Sequence, residues 1–404
     1  MGYILPHKFF QAQYGEALRK LIADGRHLAE IVHFGDQQVF AGASTYTCLL
    51  FLDKGGNDRF QYTSANDLLG WRTARQGIEG KIAAAAANQP EWSFVVGPGA
   101  ALFERLTGMY AKLGDIAARM AQGIRTSANE VYVLELISET GKLVRARSEA
   151  LGRIVTLQRE LAWPFLKGRD IKRYAITPSH QIVIIPYRVV RGRSQLIPLS
   201  ELRQLSPKTY DYLAENRTHL ENRESGRMKG PDWYGYVYPK NVEVMSSPKI
   251  LVPDIARDAS FALDEAGQYA FVSGYAITLT DSLRESGKYV LGLLNSKVLD
   301  FVLKQVSTSL RGGYFRYFSQ FLGRLPIRTI NFDDAEDVAR HHKMVALVER
   351  MLDLHKKLHA ATIPADKKLY QRQIEATDRE IDRLVYELYG LTEEEIAIVE
   401  GREE

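Results

Sequence analysis

The rhythm of hydrophobic and polar positions changes three times along the chain. Tyr3-Ile4-Leu5 is a short unbroken apolar run and predicts a buried strand, GYILP. In FFQAQYGEALRKLIADG, Phe9, Phe10, Tyr14, Leu18 and Leu21 recur on one side of a helix, and Gly25 marks its end. LAEIVHFG reads as a second strand, and STYTCLLFL as a third that is apolar enough to be covered on both faces. Strands alternating with a helix predict an α/β sheet. Three strands and one helix are too few to cover both faces of such a sheet, so the segment reads as part of a domain. Tyr3–Leu5 is then expected in a parallel sheet whose next strand is not in this sequence.

A polar stretch from residue 54 leads into KIAAAAANQPEW and VVGPGAALFERLTGMYAKLGDI, read as connecting helices and turns. From about residue 120 the texture becomes short β-rich runs broken by Gly and Pro, among them VYVLELI, KLVRARS, QIVIIPYRVV, KILVPDI and YAFVSGYAITLT. Helices are expected near 208–223 and along KYVLGLLNSKVLDFVLKQV. Met344, Leu347, Met351, Leu354 and Leu358 step by three and four, and Ile374, Ile381, Leu384 and Leu388 continue such a seam after IPAD. Gly390 ends that helix, and Thr392 with Glu395 forms a capping-box pattern for the next. The fold class is α+β multidomain: a partial α/β sheet, a mixed, mainly β domain with inserted helices, and a C-terminal helical hairpin. The boundaries are 1–62, 63–115 (connecting helices and loops), 116–330 and 331–404.

Charge adds a polarity to this layout. Residues 121–330 carry 30 Lys and Arg against 20 Asp and Glu, whereas residues 331–404 carry 11 against 18. A basic middle followed by an acidic end suggests a polyanion-binding module with a separate, non-binding tail. The single cysteine, Cys48, excludes an intramolecular disulfide and a Cys-based zinc site. No run of 18 apolar residues and no basic-then-apolar leader occurs, so a cytoplasmic protein without membrane contact is expected.

Several chemistries find no support. Asp232 and Asp254 each follow a proline, but no Glu-x-Lys completes a metal-dependent nuclease set. No P-loop and no G-x-S-x-G is present. His341-His342 are adjacent on a helix and point apart, and Gly97-Pro98-Gly99 reads as a plain turn. What remains is a set of basic and aromatic stretches. FLKGRDIKRY offers Lys167, Arg169, Lys172 and Arg173, and PYRVVRGRS adds Arg188, Arg191 and Arg193. SLRGGYFRYFSQFLGR holds Arg311, Tyr314 and Arg316 within residues 301–330, which contain no acid. DWYGYVYPK supplies Trp233 and Tyr236, and Arg125 belongs to the same basic set. Arg and Lys bind phosphates, Arg reads guanine edges, and aromatics stack on bases. Together these residues point to nucleic-acid binding.

GRDIKRY, the SPKILVPDI strand, the LLNSKVLDFVLKQ helix, YFSQFLGRLPI and the tail EIDRLVYELYGLTEEEI carry a pattern that resembles the C-terminal part of TaqI-like adenine-N6 DNA methyltransferases and of the fused type IIG restriction–modification enzymes. The resemblance implies that residues 1–62 are the C-terminal portion of a methyltransferase domain and 116–330 a TaqI-like target-recognition domain. It places GYILP just after the catalytic Asn-Pro-Pro-Tyr motif and its helix. It also puts Phe40 where the family stacks an aromatic on the flipped-out adenine, a base that has lost its neighbours in the duplex. All 14 prolines are isolated, so Asn-Pro-Pro-Tyr is absent, as is the Gly-x-Gly element that holds S-adenosylmethionine. The chain alone is therefore expected to hold no cofactor and to transfer no methyl group, with no catalytic residue and no metal of its own. Three readings stay open. The chain is the recognition part of an adenine methyltransferase, gripping double-stranded DNA, whose catalytic half is another polypeptide; or a free-standing specificity subunit that docks on a complete methyltransferase or restriction complex; or a non-functional remnant whose DNA affinity is incidental.

Overall fold

In the computed structural model, which describes residues 1–43, 45–177 and 179–402, five strands open the chain. They are β1 (Gly2–Pro6), β2 (Leu28–His33), β3 (Thr47–Leu52), β4 (Arg59–Ser64) and β5 (Ile78–Ala83), in the order β1-β3-β2-β4-β5. β3 runs antiparallel to both β1 and β2, β2 is parallel to β4, and β4 is antiparallel to β5. The sheet thus reaches Ala83, past residue 62, where connecting helices were expected. KIAAAAAN forms β5 and one 3-10 turn instead. STYTCLLFL starts its strand at Thr47, and Ser44 lies outside the described residues.

β1 departs from its expectation in two ways. It pairs antiparallel with β3, and Tyr3 and Ile4 are 47% and 48% exposed. The helix after it is also shorter than its periodicity suggests. Phe9 and Phe10 lie in a buried 3-10 turn, and α1 spans Glu16–Asp24. The break has a local cause: a Cβ on Gly15 would stand 2.2 Å from the Phe9 carbonyl oxygen, so the chain passes close to itself there. Buried Arg19 donates to the Phe9 and Ala12 carbonyls at 2.5 and 2.8 Å, satisfying groups the shorter helix leaves open. α1 then buries Arg19, Ile22 and Ala23 and turns Leu18 and Leu21 outward, and Tyr14 is exposed in the turn before it.

The middle of the chain holds two larger sheets beside several small ribbons. A six-stranded sheet runs in the order Arg153–Gln158, Leu143–Ser148, Val133–Thr140, Gln181–Ile184, Ala162–Leu166, Ala270–Phe271. A four-stranded antiparallel sheet orders Ala262–Asp264, Lys249–Val252, Tyr275–Leu279 and Ala117–Gln122. KYVLGLLNSKVLDFVLKQV is two helices, Gly287–Leu294 and Lys297–Val306. Asn295 and Ser296 divide them: the Ser296 hydroxyl caps the second, and the Asn295 amide exchanges two 2.9 Å bonds with the Phe261 backbone.

The helical hairpin, Ala335–Ala360 and Pro364–Tyr389, does not stand apart as a tail. Its seam residues Met344, Val348, Met351 and Leu384 share one core with the helices of residues 287–306 and the helix Gly99–Met109. Gly292 allows the close crossing, since a Cβ there would meet Met344 Sδ at 2.5 Å. Its acids bind cations of the rest of the chain: Arg173 with Asp378 (2.6 Å), Arg328 with Asp337 (2.8 Å) and Lys288 with Glu349 (2.9 Å). Beyond the hairpin, Glu395 and Glu400 pair with Arg105 (2.6 Å) and Lys297 (2.8 Å). Part of the negative end of the sequence thus serves to hold the units together. Thr392 and Glu395 form the expected capping box, and Gly390 ends its helix at φ +60°. No helix among the described residues is long and apolar enough to cross a membrane.

Candidate nucleic-acid interface

Several exposed or half-buried cations of the middle segment lie near one turn. The strand Lys249–Val252 ends in Pro253-Asp254, and the next two residues pair antiparallel with the strand Tyr314–Arg316 (Ile255 with Arg316, Ala256 with Phe315). The Asp254 carbonyl accepts the Tyr317 N–H at 2.9 Å. Gly168 backs onto the same place, because a Cβ there would lie 3.4 Å from Pro253 Cβ and 3.3 Å from the Ser273 oxygen. This brings the Lys167–Arg169 turn to the Asp254 turn. Arg125, exposed and bridged through its backbone to Tyr238, approaches from a third side. Burial raises the pKa of the Asp254 carboxyl, and the Gly274 N–H, Arg316 and Arg125 oppose that rise.

Arg125 and Arg316 act on this half-buried acid, Lys167 and Arg169 flank the Gly168 that packs on Pro253, Arg257 follows Asp254 three residues later, and Arg311 is at the tip of the hairpin 309–316. Arg257 lies over the exposed Tyr314 ring at 4.9 Å, and Arg316 over Phe318 at 5.1 Å. Arg169 is unencumbered: its side chain is 75% exposed and only 3.9 Å from Asp170. Asp170 is engaged elsewhere, accepting the Lys167 N–H (2.8 Å) and the Ser179 hydroxyl (3.0 Å). Lys172 is exposed on a two-residue strand paired with Ala175-Ile176. Clustered cations with one aromatic face among them can hold a phosphodiester chain and stack a base.

Phe40 lies in the loop between β2 and β3, 49% exposed. Two histidines fix the start of that loop. Gly35, at φ +55°, gives its N–H to His33 Nδ1 (3.1 Å), and its carbonyl meets His7 Nε2 (3.3 Å). The rings stand 4.3 Å apart. Burial pushes His33 down to about 3 and lowers His7 as well, so both are neutral at pH 7. At the far end of the loop the Tyr46 hydroxyl accepts the backbone N–H of Arg311 at 3.2 Å. The Phe40 loop therefore touches the cationic hairpin. His7, Gln11, Tyr46 and Arg257 escape a sequence reading, since none sits in a basic run or a recognisable spacing.

Three expected contacts are corrected. Trp233 and Tyr236 are 2% and 3% exposed. The Trp233 carbonyl accepts from Arg223 (2.8 Å) and the Tyr236 hydroxyl donates to the Ile184 carbonyl (2.6 Å), so this aromatic run is core with its polar ends satisfied internally. Arg173 donates to the Asn295 carbonyl and pairs with Asp378, so it ties GRDIKRY to LLNSK and to the hairpin instead of reaching outward. Arg188, Arg191 and Arg193 are exposed on a separate two-stranded ribbon, Tyr187–Val190 with Arg193–Leu196. That ribbon packs near Val242–Val244, and Arg188 pairs with Glu201 at 2.6 Å. Gly97-Pro98-Gly99 is a turn into the helix Gly99–Met109, with Gly99 against Phe301.

Residues 163–327 match the model of the TaqI-like C-terminal specificity domain, and residues 1–40 match that of the Eco57I restriction-modification methylase. The chain is 27% identical over 413 residues to the type II restriction enzyme and methyltransferase RM.Eco57I of Escherichia coli, covering 97% of this chain and 41% of that protein. It is 22% identical over 419 residues to the type II methyltransferase M.PaeR7I of Pseudomonas aeruginosa, covering 100% of this chain and 63% of that one. Among solved structures, the type IIL restriction-modification enzyme MmeI in complex with DNA is similar at a TM-score of 0.55 and 10% identity, covering 99% of this chain and 49% of that one. The chain thus spans about two fifths to two thirds of the length of these relatives.

Proposed function

We propose, for a chain that resembles the C-terminal part of TaqI-like and type IIG methyltransferases, that it is the DNA-recognition part of an adenine-N6 methyltransferase in a restriction–modification system, working in the cytoplasm. The observation that carries this is a coincidence in space. The segment similar to the specificity domain bears the exposed cations around Asp254, and its hairpin touches the loop of Phe40. In this reading Arg125, Lys167, Arg169, Lys172, Arg311 and Arg316 hold phosphates or base edges. Phe40 stacks on the extruded adenine.

Methyl transfer requires S-adenosylmethionine, and the residues present do not fit it: Asn-Pro-Pro-Tyr and the donor-binding glycines are absent from the sequence. Donor binding and catalysis are assigned to a separate catalytic half. The apolar surface of Tyr3 and Ile4 on the free edge of β1, with Tyr14 and Leu21 (71% and 65% exposed), supports such a partner. The test is an S-adenosylmethionine assay on the chain alone and on its mixture with a polypeptide bearing the donor-binding strand and Asn-Pro-Pro-Tyr. Methylation by the mixture alone is expected; robust methylation by the chain alone overturns the assignment. Binding to a complete methyltransferase with a change in its sequence preference would favour the specificity-subunit reading instead.

A further inference from the structure

Between the first sheet and the hairpin 309–316 lies a small polar latch that neither packing nor the cationic cluster requires. Gln11, in the turns before α1, donates through Nε2 to the Val306 carbonyl (3.2 Å) and accepts through Oε1 from the Thr308 hydroxyl (2.6 Å). Val306 and Thr308 bracket Ser307 at the root of the hairpin, and the Ser307 hydroxyl donates to the Arg316 carbonyl (2.7 Å) and accepts the Arg316 N–H (3.0 Å). At the other end, the Tyr46 hydroxyl accepts the Arg311 N–H at the tip (3.2 Å). Root and tip of one exposed hairpin are thus each bonded to segments flanking the strands of the first sheet, Gln11 after β1 and Tyr46 at the end of the Phe40 loop. Between them the hairpin presents Arg311, Gly312, Gly313 and Tyr314 to solvent.

The tip is built for close approach. Gly312 and Gly313 take φ of +90° and +76°, where side chains are strained, so the tip is narrow as well as cationic. Tyr46 is tied to the Phe40 loop from below: its ring lies nearly parallel to that of His7 (13° between planes), and His7 reaches the Gly35 carbonyl at the loop's start. A chain of contacts therefore runs from the hairpin tip through Tyr46 and His7 to Gly35, five residues before Phe40.

We propose that Gln11 and Tyr46 are positioning residues that couple the hairpin 309–316 to the Phe40 loop, so that duplex DNA held by the hairpin fixes where the Phe40 ring stands. This rests on the reading of the chain as a DNA-recognition part and goes beyond it, because neither residue touches DNA in the argument. Their bonds set the distance between the element that grips the backbone and the element that receives the base, and misplacement by about 1 Å can cost about 100-fold in a bound geometry.

The experiment is amide hydrogen exchange on the full chain, with and without a short duplex recovered from a random-sequence pool by retention on the chain. The double variant Gln11→Leu, Tyr46→Phe removes the latch while keeping an apolar stem and the ring on His7. In the unmutated protein DNA is expected to slow exchange both in residues 34–43 and in residues 309–316. In the double variant DNA should bind within about twofold of the unmutated affinity and still protect the hairpin, but leave the Phe40 loop exchanging as in the free protein. Tyr46→Phe alone, which deletes one hydroxyl, gives an intermediate loop protection and guards against a folding defect in the double variant. Loop protection that survives in both variants, with the hairpin protected, overturns the coupling and leaves the DNA-recognition reading intact. Failure of the unmutated chain to retain any duplex overturns both.

Discussion

Two arginines four residues apart in GRDIKRY should respond to substitution in opposite ways. Arg169→Ala removes an exposed guanidinium whose nearest acid is 3.9 Å away, so stability should change by less than about 0.5 kcal/mol. If Arg169 holds one phosphate, the log–log dependence of DNA affinity on salt should fall by about 0.9. Arg173→Ala removes a half-buried guanidinium from three neighbours: the Asn295 carbonyl, Asp378 at 2.6 Å, and the field of Asp382. A hydrogen bond involving a charged group contributes about 1.5–3 kcal/mol, and the bond to the buried Asn295 carbonyl belongs in that range. The pair with Asp378, 30% exposed, adds under about 1 kcal/mol.

Asp382 adds a pH dependence. Burial pushes its carboxyl up to about 6, against the Lys297 N–H and Arg173, which lower it. An acid whose folded pKa is raised favours the native state below its unfolded value, near 3.8, and that contribution is lost as pH rises through about 6. Without Arg173 the folded pKa rises further, so the deficit of Arg173→Ala should be larger at pH about 8 than at pH about 4, by roughly 1.4 kcal/mol per unit of further shift. The total expected near neutrality is about 3 kcal/mol. Urea unfolding at both pH values, with a duplex titration on the folded fraction, reads all of this. An Arg173→Ala protein of unchanged stability that has lost DNA affinity would refute the reasoning, as would an Arg169→Ala protein destabilised as strongly as Arg173→Ala.

Duplex affinity of the intact chain should fall steeply with salt in a filter or anisotropy titration, and Tyr314→Ala should weaken it without shifting the urea midpoint, since the ring is exposed. Trp233→Ala should cost about 3–5 kcal/mol by leaving a cavity in the core it shares with Leu134, Val144 and Ile182 of the six-stranded sheet, measured by the same unfolding assay. His33, held near 3 when folded against the ordinary imidazole value of 6.5, favours the native state above about 6.5 and loses that contribution as pH falls toward 3. Stability of the first sheet should therefore fall by up to about 1.4 kcal/mol per pH unit in that window, and His33→Gln should flatten the slope. In a reconstituted enzyme, Phe40→Ala should slow methyl transfer more than it weakens DNA binding.

Elements with long or strongly patterned signals were legible. The hairpin seam, Gly390, the Thr392 capping box and most middle strands lie where periodicity and turn residues put them. Where the reading fails, a tertiary contact has overruled a local pattern. Phe9, Phe10, Tyr14, Leu18 and Leu21 fit one helical face, yet the close pass at Gly15 breaks the helix and divides them between core and surface. DWYGYVY looked like a stacking surface because aromatics with polar tips suit both an interface and a core. What decides between the two is whether carbonyls such as those of Ile184 and Ile197 stand ready to accept the hydroxyls, and spacing does not record that. The Asp254 cluster is assembled from residues as far apart as 125 and 316, so only its separate basic runs were visible.

The charge pattern shows most clearly how a correct count can carry a wrong picture. A surplus of ten cations in residues 121–330 suggested a positive module beside a detached acidic tail. In the fold, Arg173, Lys288, Lys297 and Arg328 face the C-terminal acids and are neutralised by them. These four are held at the junction with the C-terminal acids, whereas Arg125, Lys167, Arg169, Arg257, Arg311 and Arg316, on and near the Asp254 turn, have no such partner among the described residues, apart from the loose contact of Arg169 with Asp170 and the field of Asp254 on Arg125 and Arg316. The acidic end therefore makes the field of the middle segment directional. A polyanion approaching that junction meets paired charges. One approaching the Asp254 turn meets unpaired guanidinium groups next to the Phe40 loop. Reversing one acid there, as in Asp378→Lys, should accordingly destabilise the junction and free Arg173, but raise duplex affinity little, because the added cations stand away from the Asp254 turn. A large gain in affinity for the folded variant would show that net charge, and not its placement, governs DNA capture.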